Sequence, residues 1–233
     1  MTSPLDILVF GAHADDAEIG MGGTIIKHVR SGKKVGVCDL TVAELSSNGT
    51  VEGRLKEATE AKQRLGIHYR SNLKLPDRGL ERTNKQLDKI VLEIRKLRPR
   101  IVFAPYWHDR HPDHVMTSHL VQEAVFNAKL RRYLPQWNPV TVDQLYFYFI
   151  NDTVDPDLMV DITHEHTAKM RALAAYESQF MLQNGQADRV STPLNQGYLE
   201  RVEARDRLLG QKRAVAYAEG FMSKLPFPVN LFE

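Results

Sequence analysis

Residues 10–23 of this chain read FGAHADDAEIGMGG, and three side chains able to bind metals, those of His13, Asp15 and Asp16, follow an apolar run. The run predicts a buried strand over residues 7–12. The glycines and the apolar residues after them predict the start of a helix. The three polar residues therefore fall on a strand-to-helix turn, where open α/β sheets bind their ligands. An imidazole and a carboxylate from such a turn can bind one Zn²⁺, leaving the neighbouring carboxylate to transfer protons.

A second polar loop follows another apolar run. Residues 105–114 read PYWHDRHPDH, directly after IVFA at residues 101–104. Because the strands of one parallel sheet end at the same edge, a histidine of this loop, such as His114, is expected to meet the first turn there. Together with His13 and Asp16 it completes a ligand set that leaves one coordination position open for water.

The composition predicts one globular domain with a small-molecule partner. The 233 residues, 42% hydrophobic and 26% charged, suffice for one substantial core, so we expect a single domain over residues 1–233. With 31 Lys and Arg against 29 Asp and Glu, the net charge of +2 gives no reason to expect a nucleic-acid or membrane partner. The single cysteine, Cys38, cannot form an internal disulfide. We see neither a signal peptide nor a membrane span, and predict a soluble cytoplasmic protein.

Strand and helix patterns alternate along the chain, which predicts an α/β fold with a mostly parallel sheet flanked by helices. Apolar or β-branched runs mark the strands, and amphipathic runs at helical spacing mark the helices. After the first strand, the predicted strands are residues 34–40, 73–76, 101–104, 144–150 and 158–162, and the predicted helices are residues 25–30, 54–65, 85–97, 115–130 and 164–180.

Several polar residues near the same sheet edge are candidates for substrate binding. Glu44 and Asn48 lie in the loop after the second strand and can reach sugar hydroxyls, although such loop residues more often bind solvent or backbone. Arg54 lies in the first turn of a predicted helix, where the helix dipole disfavours a cation. This position indicates a role in binding an acidic group. The polar loop of residues 183–197 is long enough to form a flap. Tyr198 at its end either reaches the site or packs in the core.

Together the two loops predict metal-dependent hydrolysis of an amide. A Zn²⁺ ion held by two imidazoles and one carboxylate lowers the pKa of a bound water toward about 7 and polarises a carbonyl. With His13, Asp16 and His114 as ligands, Asp15 is the expected base, which later returns its proton to the departing amine. A protonated His111 is expected to hydrogen-bond the developing oxyanion.

Other residues of the second loop have less direct roles. Asp113 is expected to orient His111 as its hydrogen-bond partner, and His108 to shape the loop. Each polar motif also has a structural explanation, because aspartates cap helices well. The non-enzyme alternative is a Rossmann-like binding module, although carboxylates ahead of the glycines would repel a pyrophosphate.

Four short motifs resemble the signature blocks of the LmbE-like, or PIG-L, zinc-dependent N-acetylglucosamine deacetylases: HADD at 13–16, GMGG at 20–23, TVAE at 41–44 and HPDH at 111–114. The resemblance spans nearly the whole chain. It implies a Rossmann-like fold, zinc ligation by His13, Asp16 and His114, Asp15 as the base and His111 as the electrophilic partner. The family pattern His-Pro-Asp-Asp-Glu is altered, because alanines occupy positions 14 and 17, but neither change removes a ligand.

Further segments resemble the branch that acts in bacillithiol biosynthesis, whose members remove acetate from N-acetylglucosaminyl malate. They are FGAHADD at 10–16, LSSNGT at 45–50, LPDRG at 75–79, HDRHPDH at 108–114 and AEGF at 218–221. This resemblance implies an amino-sugar substrate with an acidic aglycone, contacted by Arg54, Arg110 and Tyr198, and assembly into homo-oligomers such as trimers or hexamers. Chitooligosaccharides, an inositol-linked glucosamine or an antibiotic precursor stay open as substrates, and Fe²⁺ stays open as the metal.

Overall fold

The computed structural model describes residues 3–181 and 189–226, which form a seven-stranded sheet flanked by helices. The strands are β1 (Ile7–Gly11), β2 (Val35–Thr41), β3 (Tyr69–Leu75), β4 (Ile101–Pro105), β5 (Gln144–Tyr148), β6 (Leu158–Asp161) and β7 (Ala218–Met222). The helices are α1 (Asp16–Arg30), α2 (Val51–Leu65), α3 (Asn84–Leu97), α4 (Pro112–Ala128), α5 (His166–Leu173), α6 (Glu177–Phe180) and α7 (Tyr198–Gln211), with a 3₁₀ helix at Pro193–Asn195. None of the helices in these two ranges combines the length and the apolar character that crossing a membrane requires.

The order of the strands is β3-β2-β1-β4-β5-β7-β6. The first five are parallel to one another, and β7 runs antiparallel to both of its neighbours. This confirms the predicted α/β class with a mostly parallel sheet. The strand order reverses between β1 and β4, which pair with Ile7 beside Ile101. A crevice opens at such a switch point, outside the carboxyl ends of the strands, so the two polar loops leave the sheet side by side.

Each face of the sheet packs against its own apolar layer, which explains the continuous apolar run of β1. Ile7 and Val9 point into the layer formed with α1, α2 and α5, whereas Leu8 and Phe10 point into the layer formed with α3 and α4. All four side chains are at most 2% exposed. A strand buried on both faces needs apolar residues at every position, because neither side of the pleat meets water.

Helix α1 begins at Asp16, ahead of the glycines at which the sequence pattern placed its start. These glycines serve close packing, because a Cβ added at Gly20 would lie 2.1 Å from the ring of Tyr148. The helix is interrupted at Met21, which has φ −149°. The prediction of the helix start was wrong because the glycines mark a kink and a close approach inside the helix.

A buried charge cluster attaches the kinked helix to β7. Glu219 accepts hydrogen bonds from the N–H groups of Gly23 and Thr24, at 3.0 and 2.7 Å, just after the kink. The same carboxylate pairs with Lys169 at 2.8 Å, and Lys169 pairs with Asp206 at 2.5 Å. No local sequence pattern predicts this role of Glu219 in β7, because its partners lie in other elements.

Two further boundaries differ from the sequence pattern. The helix predicted over residues 164–180 is divided into α5 and α6, with the break at Tyr176, whose ring is fully buried. Strand β3 begins at Tyr69, earlier than the predicted residues 73–76. Its first residues are polar and only half-buried, so they lack the apolar signal on which strand prediction depends.

Candidate active site

The polar residues of the two loops meet at the carboxyl edge of the sheet. His13 follows β1, and Asp16 is the first residue of α1. His114 lies in the first turn of α4, which begins earlier than predicted. Asp15, between strand and helix, has φ 125°, a conformation that favours glycine. Holding another residue there costs roughly 1–3 kcal/mol, and such strain clusters at functional sites.

His13 and His114 both lie close to the carboxylate of Asp16. Nε2 of His114 is 3.2 Å from Oδ1 of Asp16, and Nδ1 of His13 is 3.6 Å from Oδ2 of Asp16. In a tetrahedral Zn²⁺ site, with ligand atoms about 2.0–2.2 Å from the ion, two of those atoms lie roughly 3.3 Å apart. Each of the two distances is near that spacing, through a different oxygen of Asp16, and nitrogen and oxygen donors are ligands that Zn²⁺ accepts.

His111 lies beside this set. The three histidines, His13, His111 and His114, offer nitrogens within 4.8 Å of one another. Nδ1 of His111 accepts a hydrogen bond from the N–H of Asp113 at 3.2 Å, which leaves the proton of a neutral ring on Nε2. Burial, followed by the charges of the other two histidines, lowers the pKa of His111. With Nδ1 accepting from Asp113, Nε2–H is the donor that His111 has available for the oxyanion predicted from the sequence.

Carboxylates hold the second ring nitrogen of each candidate ligand histidine. Nε2 of His13 is 3.2 Å from Oδ1 of Asp77, and Nδ1 of His114 is 3.0 Å from Oδ1 of Asp109. Burial would raise the pKa of Asp109, but its hydrogen bond to His114 and the charge of that ring bring the pKa down to about 2. Such partners fix the orientation of a ligand ring and raise its basicity. The sequence pattern missed both aspartates, since Asp77 resembled a turn residue and Asp109 one more polar residue of its loop.

Asp113 is placed differently from the prediction. Its carboxylate accepts hydrogen bonds from the backbone N–H and Nη1 of Arg78, at 2.8 and 3.0 Å, and lies 3.6 Å from Nε2 of His13. Its hydrogen bond to His111 comes from the backbone N–H. Because α4 begins at Pro112, His111 occupies the N-cap position and receives the N–H of Asp113 rather than its side chain.

Asp15 is buried and paired with Arg54. Nη2 of Arg54 donates to Oδ2 of Asp15 at 2.8 Å, and Nε donates to the carbonyl oxygen of Ala14 at 2.9 Å. Burial raises the pKa of Asp15 to about 7, against the opposing charge of Arg54. A carboxyl group with a pKa near neutrality suits proton transfer in both directions. Nη1 of Arg54 is buried and has no hydrogen-bond partner among residues 3–181 and 189–226.

A row of buried polar groups continues behind Arg54. The ring of Tyr176 lies 5.5 Å from its guanidinium carbon, and the Tyr176 hydroxyl donates to Oε1 of Glu18 at 2.8 Å. Arg70 donates to the same oxygen at 2.6 Å and pairs with Asp39 through two N–H groups, at 2.9 and 3.0 Å. The row contacts Arg54 through the Tyr176 ring. The sequence pattern did not predict it, because its members come from different parts of the chain.

A cavity of about 460 Å³ opens over these groups. Four of the predicted substrate-binding residues line it: Asn48, Arg54, Arg110 and Tyr198. Glu44 is not among its lining residues. Instead, Oε1 of Glu44 accepts a hydrogen bond from the N–H of Asp77 at 2.8 Å, so this carboxylate joins two loops. We therefore leave Glu44 out of the proposed substrate site.

Tyr198 reaches the cavity from the start of α7. It is 6% exposed, and its single hydroxyl hydrogen has two acceptors within reach, Oδ1 of Asn151 at 3.1 Å and the carbonyl oxygen of Ile150 at 3.3 Å. Burial raises the pKa of this phenol. Residues 183–188 of the predicted flap lie outside the described residues. The rest of that loop, residues 189–197, contains the 3₁₀ helix and borders the cavity.

Replacement of Asp109 by alanine is expected to weaken Zn²⁺ binding by roughly 10- to 100-fold, because His114 loses the partner that orients its ring. Titration against a competing chelator measures the affinity. The matched control is Asp143→Ala, since the Asp143 side chain is 51% exposed and pairs with an exposed arginine. Equal affinities for the wild type and the Asp109 variant would show that this carboxylate does not support the ligand.

Comparison with known proteins adds a family match to this geometry. A family model described as PIG-L, GlcNAc-PI de-N-acetylase, matches residues 8–125, which contain all the candidate ligands. The diacetylchitobiose deacetylase of Thermococcus kodakarensis is 34% identical to this chain over 189 residues, covering 75% of this chain and 70% of that protein.

Two solved structures share the fold along most of the chain. The conserved protein TT1542 from Thermus thermophilus superposes with a TM-score of 0.89 and 38% identity, covering 98% of this chain and 99% of that one. The N,N′-diacetylchitobiose deacetylase from Pyrococcus horikoshii superposes with a TM-score of 0.79 and 25% identity, covering 92% of this chain and 82% of that one.

Proposed function

The chain belongs to the PIG-L family, described as GlcNAc-PI de-N-acetylases, and we propose that it works as a zinc-dependent member of that family. It is an enzyme that removes the N-acetyl group of an amino sugar. The observation that supports zinc dependence is the spacing of the ligand atoms of His13, Asp16 and His114. Bound there, Zn²⁺ would supply a water whose pKa is lowered toward about 7 and a Lewis acid for the acetamide carbonyl. Fe²⁺ is the alternative, because it binds the same donors.

Asp15 and His111 carry out the proton transfers and the charge stabilisation in this proposal. Asp15 accepts a proton from the attacking water and later returns it to the departing amine nitrogen. His111 donates its Nε2–H to the carbonyl oxygen as negative charge develops there. Arg54 holds the Asp15 carboxylate in place through its hydrogen bond at 2.8 Å. The products are acetate and a free amino sugar.

We propose N-acetylglucosaminyl malate as the substrate, because the cavity offers cations for an acidic aglycone. Arg54 has an unpartnered Nη1 among the described residues, and this side chain lines the cavity. Arg110 is exposed and lines the same cavity. A free guanidinium group matches a carboxylate with two parallel hydrogen bonds, so the exposed Arg110 suits one carboxylate of malate. Arg54 adds positive charge and, within the described part of the chain, a single unpartnered nitrogen, Nη1, because its Nε and Nη2 bind Ala14 and Asp15.

Diacetylchitobiose is the second candidate substrate. It is favoured by the 34% identity with the deacetylase of that name from Thermococcus kodakarensis. Ser46, Ser47 and the apolar Leu194 line the same cavity, and a lining that combines hydroxyls with apolar surface suits an uncharged second sugar.

The test of the proposed function is amine release by chelated protein, with and without added Zn²⁺. The substrates are N-acetylglucosaminyl malate, diacetylchitobiose, an inositol-linked N-acetylglucosamine and free N-acetylglucosamine. The proposal is supported if added Zn²⁺ restores amine release and the malate conjugate is the preferred substrate. Zinc-dependent release from diacetylchitobiose alone moves the assignment to the second candidate. No release from any substrate by folded, zinc-loaded protein contradicts both.

Arg110→Ala is expected to lower kcat/KM for the malate conjugate by roughly tenfold or more, because hydrogen bonds to a charged group are lost. Turnover of diacetylchitobiose should be unchanged, since that sugar carries no carboxylate. Arg132→Ala is the control, as this exposed arginine does not line the cavity. Equal losses on both substrates would remove Arg110 from aglycone recognition.

A further inference from the structure

The side chain of Asn48 is bound to protein through both of its polar atoms. Nδ2 donates to the carbonyl oxygen of Val190 at 2.9 Å, and Oδ1 accepts from the Val190 N–H at 2.9 Å. Both partners are main-chain groups, so the amide pairs with this segment as a neighbouring strand would. Asn48 is only 5% exposed. One side chain therefore joins the loop after β2 to the segment that precedes α7.

Neighbouring hydrogen bonds hold both partners in place. Nε2 of Gln179 donates to the carbonyl oxygen of Asn48 at 3.0 Å. Nδ2 of Asn195 donates to the carbonyl oxygen of Val190 at 3.0 Å, and Oδ1 of Asn195 accepts from the N–H of Thr192 at 2.9 Å. Asn48 and Asn195 together therefore bind the backbone at Val190 and Thr192.

The segment that Asn48 holds forms one wall of the cavity, where Thr192, Pro193 and Leu194 are lining residues. None of these three side chains is among the hydrogen-bond partners of the ligand histidines or of Asp15 in the part of the chain that is described. The wall is therefore not part of the machinery that holds the reacting groups. It borders the same cavity of about 460 Å³ as those groups, so it is available to the part of a substrate that is not reacting.

We propose that Asn48 is a positioning residue that sets the affinity for the aglycone by fixing this wall. The proposal rests on the deacetylase function proposed above, which supplies its kinetic test. The sequence indicated that Asn48 contacts a sugar hydroxyl. In this proposal Asn48 instead acts on the substrate through the backbone of Val190.

The kinetic test is Asn48→Asp, which keeps the shape of the side chain. The variant retains the acceptor for the Val190 N–H but places a carboxylate oxygen against the Val190 carbonyl oxygen, so one buried hydrogen bond is replaced by a repulsion. We expect the KM for the preferred conjugate to rise roughly tenfold. The kcat should be unchanged, because Asp15 and His111 keep their partners. A general loss of structure would instead lower kcat or the amount of folded enzyme.

An independent test measures hydrogen exchange at the Val190 amide in Asn48→Ala, which removes the acceptor of that N–H. Exchange should be faster than in the wild type, whereas the amides of β1 should keep their protection. Asn84→Asp is the control for the kinetic test, because it introduces the same charge at an exposed position of α3, and Asn84→Ala is the control for the exchange measurement. This measurement needs no substrate, so it tests the wall even if the proposed function fails.

A higher KM together with faster exchange at residue 190 supports the proposal. Unchanged exchange in Asn48→Ala would show that the side chain does not hold the wall. Faster exchange with an unchanged KM, or a fall in kcat with KM unchanged, would overturn the link between this wall and the aglycone.

Discussion

Replacement of Asp15 by asparagine is expected to lower kcat for acetamide hydrolysis by roughly 10³-fold, within the range that general-base catalysis contributes. Asparagine has the size of aspartate, but its amide cannot accept the proton of the attacking water. Burial, the main cause of the raised pKa of Asp15, leaves this carboxyl able to take and return a proton near neutral pH. The metal ligands are not changed, so the zinc content should equal that of the wild type.

Controls separate this effect from damage to the fold. The variant leaves the buried guanidinium of Arg54 without its counter-ion, so a lower melting temperature is expected beside the loss of turnover. Asp155→Asn makes the same chemical change at a side chain that is 92% exposed, and it should alter neither quantity. Turnover within about tenfold of the wild type in zinc-loaded Asp15→Asn would show that another group is the base.

Replacement of His114 by alanine is expected to remove the metal and to lower turnover by more than about 100-fold. This loss is larger than the roughly 10- to 100-fold loss expected when only the hydrogen-bond partner of a ligand is removed. Asp16 then faces His13 without the second imidazole, and two ligands hold a divalent ion poorly. Metal content by elemental analysis and amine release by the same preparation measure the two effects. His119→Ala is the matched control, because His119 is an exposed histidine on the same helix.

Chelation of the wild-type protein should reproduce the His114 variant, and add-back identifies the metal. Restoration by Zn²⁺ at stoichiometric amounts supports the proposed cofactor, whereas restoration by Fe²⁺ alone assigns the alternative. Metal binding should also raise the melting temperature, since an ion that binds only the folded state stabilises it. Full activity of metal-free protein would contradict the whole metal-dependent proposal.

Local sequence patterns predicted much of the fold and failed at particular places. The apolar run of β1 and the helical spacing of α3 are local signals, and both elements lie where they were expected. The start of α1 was misplaced because Gly20 has a packing role against Tyr148 that no local pattern reveals. The break before α6 falls at Tyr176, whose ring is fully buried and whose hydroxyl binds Glu18, a partner that no local pattern reveals.

Within the site, residue types were predictable but their partners were not. The sequence placed His13, Asp16 and His114 together, and the structure has them within a few ångströms of one another. Asp109 received no role, although it holds the ring of His114. Asn48 was interpreted as a substrate ligand, yet both of its polar atoms bind Val190.

By itself the sequence determined the α/β class and the groups that stand at the carboxyl edge of the sheet. Apolar periodicity is a property of neighbouring residues, and parallel strands bring the residues after them to one edge. Only the tertiary structure decided which carboxylate faces which imidazole, that Arg54 pairs with Asp15, and that Glu219 joins β7 to α1. These contacts connect distant parts of the chain, so their geometry depends on how whole elements pack, and no local period encodes that packing.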